Sequence, residues 1–316
     1  MEAAHIKVVV IGFLLGTVLG SFVKALADRS LTKRTFLGRS YCPNCKKVLR
    51  WYDLLPILSY LLLKGRCRYC HRKIGVEYVV VEIVMGMLVG YLFFQTFNNF
   101  QSFDSLNSLR TGFQFLNSIF ELSYKIFFVT VLAIVFLTDL KKMLIPDRII
   151  IPGVVIAFLS LLAITGYKIG YLYYYLSAHP VGQYLLPPHS FYFQEHVLVH
   201  LQSSALAVVS GLVLAGFFLL LIIITKGKGM GGGDVKLALF MGLGLGFPNI
   251  IVATMSSFII GAIFSVGLII FGKKGFRSVI PFGPFLVVGS LIALFWGDRI
   301  INWYLNLSMV GLDNFF

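Results

Sequence analysis

The chain has 316 residues, of which 58% are hydrophobic and 13% charged, and its mean hydropathy is +0.87. A soluble domain of this length would carry about 25% charged residues, so the composition excludes an ordinary soluble protein and describes an all-α polytopic membrane protein. The net charge of +14 calls for no nucleic acid, because it is concentrated between apolar runs, where topology and attraction to anionic lipid account for it.

Apolar stretches able to cross about 30 Å of hydrocarbon as helix fall at 6–23, 76–95, 122–140, 149–166, 199–225, 235–250, 251–271 and 280–297. The first lacks a basic leading region and a clear small-x-small cleavage site, so it is a span and not a signal peptide. The sixth is short and rich in glycine. Two connections, 96–121 and 167–198, are long. The second is rich in Tyr, Pro and His, but His179, His189 and His196 lack metal-ligand spacing, and the segment is expected to be an interfacial external loop.

The loop between the first two spans carries all four cysteines, in "YCPNCKK" and "GRCRYCHRK". Cys42-x2-Cys45 and Cys67-x2-Cys70 are two knuckles that can present four thiolates to one tetrahedral Zn²⁺ as a structural site. The alternatives are a redox pair or plain reduced thiols. Four cysteines fill the shell, so His71 is a solvated loop residue. Between the knuckles lies "WYDLLPILSYLLLKG". Here Asp53 is expected to cap a short amphipathic helix, Leu54 to Leu63, that rests on the membrane face.

With residue 1 placed outside, segments 24–75, 141–148, 226–236 and 272–279 lie inside and hold 22 of the 27 Lys and Arg. Positive residues prefer the cytoplasmic side, so the cysteine loop is cytoplasmic, where disulfides are disfavoured, and both ends are external.

Ionisable residues within spans are expensive and point to function. Asp139, in "FLTDLKKMLIPD", ends the third span, and Asp234 opens the sixth. The threading puts both on the cytoplasmic side at similar depth. Taken singly, Asp234 could be a helix N-cap and Asp139 a partner of Lys141 or Lys142. Together they form a candidate dyad in which one carboxylate keeps a proton and the other activates water. Gly231, Gly232 and Gly233, before Asp234, would let an extended substrate backbone approach. Asp147, after Pro146, is expected to be an N-cap. Lys236 is interfacial.

Further stretches complete a pattern: "GSFVKALADRS" at 20–30, "GRSYCPNCKKVLRWYDLLPILSYLLLKGRCRYCHRKI" at 38–74, "EYVVVEIVMG" at 77–86, "DLKKMLIPD" at 139–147, "GMGGGDVKLALFMG" at 229–242 and "IPFGPFL" at 280–286. In this order the chain resembles the bacterial type IV prepilin peptidases, GxGD-type membrane aspartyl proteases that are also N-methyltransferases. The resemblance implies catalytic aspartates at Asp139 and Asp234. It implies prepilin or pseudopilin substrates of type IV pili or type II secretion, cut on the cytoplasmic side of the bacterial inner membrane after a glycine that ends a basic leader. It also implies S-adenosylmethionine as donor for methylating the new N-terminus, an activity linked to the domain of the cysteine loop. Lys24 departs from the family's common Asn. No glycine-rich nucleotide-binding fingerprint follows a predicted strand, so residues binding S-adenosylmethionine are not assigned.

The domains expected are 1–95 (first span, cysteine loop 24–75, second span), 122–297 (a six-helix aspartyl peptidase) and an external tail, 298–316. The competing functions are a transporter with Asp139 and Asp234 as proton relay, a peptidase without methyl transfer, and a presenilin-like protease. The last carries Tyr-Asp and Pro-Ala-Leu motifs that this chain lacks: Thr138 precedes Asp139.

Overall fold

The structure is a computed structural model that describes residues 2–32, 38–101, 108–179, 181–188, 190–227, 230–271 and 280–313. Among these residues there is no β-strand. The helices are α1 (Glu2–Leu31), α2 (Leu58–Leu62), α3 (Glu77–Gln101), α4 (Ser108–Lys142), α5 (Asp147–Ala178), α6 (Tyr192–Ile224), α7 (Gly232–Leu245), α8 (Asn249–Ile270) and α9 (Gly283–Asp313). The chain divides into two compact units, Met1–Thr138 and Asp139–Phe316.

Among the described residues seven helices are long and apolar enough to cross a membrane. They coincide with the expected spans, apart from the sixth. That one is α7, with 14 residues and so about 21 Å long, short of the hydrocarbon thickness. It stops at Gly246, whose φ of +67° is open to glycine and whose N–H closes on Gly242. Elsewhere helix runs past the apolar core. Much of the expected 167–198 loop is helical: α5 continues to Ala178 and α6 starts at Tyr192. Tyr-rich sequence marks a membrane interface, but it breaks no helix, and no proline intervenes before Pro180. Likewise α9 continues beyond residue 297. His189 and the basic segment 272–279 lie outside the described residues.

In the first unit α1 packs along α3. Gly12, Gly16 and Gly20, four residues apart, form the contact: a Cβ on Gly12 would come 2.7 Å from the Phe93 ring, and one on Gly20 2.7 Å from Glu82 Cα. Small residues at this spacing let membrane helices approach closely. Beyond Gly20 the fully buried Lys24 binds both carboxylate oxygens of Asp28 (2.9 and 3.0 Å) and Glu77 Oε1 (3.1 Å), 4.5 Å from the Tyr78 ring centre. An unpaired buried ammonium would be prohibitive, so the residue that departs from the family pattern is paired within its own helix pair.

In the second unit α7 packs against α5 and α6, and α8 against α9. At the α6–α7 crossing Gly242 lies against the backbone of Gly211, leaving no room for a Cβ. The hydroxyls of Thr165 and Ser204 join α5 to α6 at 2.6 Å.

Candidate active site and metal centre

The cysteine loop is built from two matching turns. Lys46 N–H donates to Cys42 O, and Cys42 N–H to Lys47 O. Twenty-five residues on, His71 N–H donates to Cys67 O, and Cys67 N–H to Arg72 O. Lys46 and His71 occupy the same left-handed conformation, with φ of 57° and 53°. Single bridges, Tyr41 with Val48 and Arg66 with Lys73, close each turn. The four Sγ atoms lie within 4.8 Å of one another, and Cys42 and Cys70 are 3.9 Å apart. A tetrahedron with Zn–S bonds near 2.3 Å has S···S edges of about 3.8 Å, so the four cysteines can hold such an ion. The Arg72 backbone N–H, with the Asn44 side chain, brings the Cys70 thiol down to about 6, towards the thiolate a metal needs, while Cys45, despite the Lys47 N–H, is held up at about 11 by burial and the neighbouring sulfurs. His71 is exposed and outside the cluster.

Asp53 does not cap a helix that follows it. It sits inside a 3-10 turn, Trp51–Leu54, accepts from the Arg50 N–H at its start (3.2 Å) and pairs with Arg68 Nε at 2.7 Å. The helical segment is also split, because Ile57, in a γ-turn at φ +61° and ψ −51°, separates the turn from α2.

In the second unit both candidate acids are buried, Asp139 in the last turn of α4 and Asp234 in the first turn of α7. The backbone N–H of Gly283, which begins α9, donates to the Asp139 carboxylate. Asp234 Oδ2 accepts from the Gly231 N–H at 3.3 Å. Each carboxylate thus meets a glycine amide at a helix start, where the helix dipole attracts negative charge. The two are close enough for the charge of one to act on the other.

The three glycines differ. A Cβ on Gly232 would meet nothing within 4 Å, and one on Gly231 only Asp234 Oδ2 at 4.0 Å. On Gly233 it would stand 2.9 Å from Ile145 Cβ. Gly231 and Gly232 therefore leave open space beside Asp234, whereas Gly233 is a packing glycine.

Asp147 is not the N-cap of α5: Pro146 holds that position, and Asp147 makes an exposed ion pair with Lys236, two residues past Asp234. The N-cap reading rested on local sequence, and the partner lies 89 residues away.

Residues 14–96 match the bacterial peptidase A24 N-terminal domain, and residues 126–266 match the type IV leader peptidase family. A prepilin leader peptidase/N-methyltransferase of Bacillus subtilis is 30% identical over 300 residues, covering 94% of this chain and 98% of the relative. The chain belongs to the type IV leader peptidase family. Proteins of the same name from Legionella pneumophila (28% identical, covering 87% of this chain and 78% of the relative) and Aeromonas hydrophila (29%, covering 85% and 75%) are also similar. No solved structure matches the chain.

In this leader peptidase family member the N-terminal match contains the four cysteines and the family match both aspartates. Gly283 lies beyond both matches. Its contact with Asp139 was not legible in the sequence, where its only mark is its place in "IPFGPFL".

Proposed function

We propose that this chain is a prepilin leader peptidase whose proteolytic pair is Asp139 and Asp234, set in a domain spanning 122–297. It removes a leader after a glycine on the cytoplasmic side of the bacterial inner membrane and then methylates the new N-terminus. The observation that carries this reading is the buried pair itself: two carboxylates from distant parts of the chain, each on a glycine amide, beside open space at Gly231 and Gly232. A membrane protein gains no stability from such an arrangement, since two like charges in a dry site repel.

Two carboxylates so placed share one proton. The ionised member takes a proton from water as the water oxygen bonds to the scissile carbonyl carbon. The protonated member gives its proton to the carbonyl oxygen, forming a neutral diol. One carboxyl then gives its proton to the amide nitrogen while the other carboxylate takes one from a diol hydroxyl, so that the C–N bond breaks, the carbonyl re-forms and the pair again holds one proton. Gly231 and Gly232 admit the extended substrate backbone. S-adenosylmethionine, when bound, supplies the methyl group, and the chain's part is to present the freed amine.

Purified protein mixed with a prepilin is expected to produce a mass loss equal to the leader, and with S-adenosylmethionine a gain of one methyl. An intact prepilin, with protons carried across a sealed vesicle, would favour the relay instead.

The cysteine cluster is proposed to hold structural Zn²⁺. Metal analysis should give about one zinc per chain in sulfur-only tetrahedral geometry. Cys42→Ser should lose the metal, and protease should then cut the loop between residues 38 and 76. Stoichiometric Cys42–Cys45 or Cys67–Cys70 disulfides in cells would rule the metal out.

A further inference from the structure

The loop between the knuckles presents an apolar ridge outside any span. Trp51, Leu54, Leu55, Leu58, Leu61 and Leu62 are all exposed, Trp51 by 75% and Leu62 by 80%. Within α2, Leu58, Leu61 and Leu62 share one helical face. A loop surrounded by water would not expose five leucines and a tryptophan together.

The loop's charge complements one kind of surface. Residues 38–76 hold nine Lys and Arg and a single acid, Asp53. That acid is turned inward onto Arg68, its side chain 2% exposed. Lys46, Lys47, Arg50, Lys64, Arg66 and Arg68 are exposed in the same loop.

One hydrogen bond sets the height of the ridge. Ile57 N–H donates to Glu82 Oε2 at 2.8 Å, and Glu82 is buried on α3. Glu82 lies five residues into a 22-residue span, Glu77–Asn98, or about 7.5 Å along it. That span is about 33 Å long, barely more than the hydrocarbon, so its second turn lies at the edge of the acyl region. The bond is made with Ile57 at φ +61° and ψ −51°, a strained γ-turn in which Leu58 N–H donates to Pro56 O and which a β-branched residue rarely adopts. The chain bends sharply there, at the level where α3 enters the bilayer, and α2 leaves from that bend.

We propose that the Trp51–Leu62 ridge inserts into the headgroup boundary of the bilayer that α1 and α3 span, with anionic phospholipid held by the surrounding Lys and Arg. In its first turns α3 also exposes Val80, Ile83 and Val84, and basic residues beside an apolar face are the composition of interfacial segments. The metal cluster is thereby held at the membrane surface. This proposal does not depend on the proteolytic reading.

The test uses the full chain in nanodiscs. Of the three tryptophans, Trp296 and Trp303 are replaced by Phe, leaving Trp51 as the sole emitter. With phosphatidylglycerol present, Trp51 emission is expected to be blue-shifted, strongly quenched by lipids brominated near the top of the acyl chain, less by deeper bromines, and little by aqueous iodide. Leu58→Asp with Leu62→Asp should reverse this order. Quenching by iodide and not by bromine would overturn the proposal. So would shielding from both, which would mean that protein covers the ridge. Unchanged bromine quenching after phosphatidylglycerol is replaced by phosphatidylcholine would overturn the anionic-lipid part. The quenching needs no destabilising variant, and retained zinc reports whether the Asp variant folds.

Discussion

Replacing Asp139 or Asp234 by asparagine is expected to abolish leader cleavage while the fold survives. Asparagine keeps a side-chain oxygen, so it can still accept from Gly283 at position 139 and from Gly231 at position 234. What it cannot do is accept a proton from water or pass one to the substrate. General acid–base groups are worth about 10²–10⁴-fold each, and members of one catalytic unit do not add, so either single variant should lose nearly everything. Thermal stability should hold or rise, because each change puts a neutral side chain in place of one member of a buried acid pair that is costly to ionise. Methylation of a synthetic, already cleaved pilin should continue in both, since methyl transfer from a sulfonium needs orientation and a free amine but no carboxylate pair. Asp147→Asn is the comparison: it loses only an exposed pair with Lys236, worth about 0–1 kcal/mol, and should keep most cleavage. Full cleavage by either Asp139→Asn or Asp234→Asn removes the pair from the mechanism. Lost cleavage in folded Asp147→Asn would add a third acid to the site.

Parts of this molecule were legible in its sequence where the chemistry is local. Cysteine pairs at fixed spacing specify a cluster whatever surrounds them, and the four Sγ atoms do converge. Apolar runs show spans because the bilayer imposes a length; the sixth run, read as a span, is the exception, since α7 has 14 residues. Interactions closed by distant residues were not legible. Asp53 could turn to either side; Arg68, brought back after α2, draws it to the first. Asp147 reads as a cap until folding brings Lys236 beside it. Gly233 and its neighbours look alike in sequence, yet only Gly233 lies against Ile145. Helix ends beyond the hydrocarbon also escaped, since hydropathy falls there while helix propensity does not.

Gly283→Ala is expected to lower cleavage about 100-fold without lowering stability. On backbone grounds alone the change is favourable, because alanine is better than glycine in a helix by up to about 1 kcal/mol. The objection is steric and concerns one neighbour. A Cβ on Gly283 would overlap Asp139 Oδ2 and stand 3.0 Å from its Cγ, closer than carbon atoms pack. Asp139 is buried at the end of α4, so relief comes from turning its carboxylate away from the Gly283 N–H and from Asp234. A misplacement of about 1 Å can cost about 10² in rate. The loss should fall on kcat, because the proposed substrate approach, along Gly231 and Gly232, is unchanged. Gly170→Ala, where a Cβ meets nothing within 4 Å, should leave cleavage and melting temperature as they were. Combining Gly283→Ala with Asp139→Asn should add no further loss, since both act through one carboxylate. Wild-type kcat in Gly283→Ala would show that Asp139 has no need of its present position, and the catalytic assignment of that residue would fall with it.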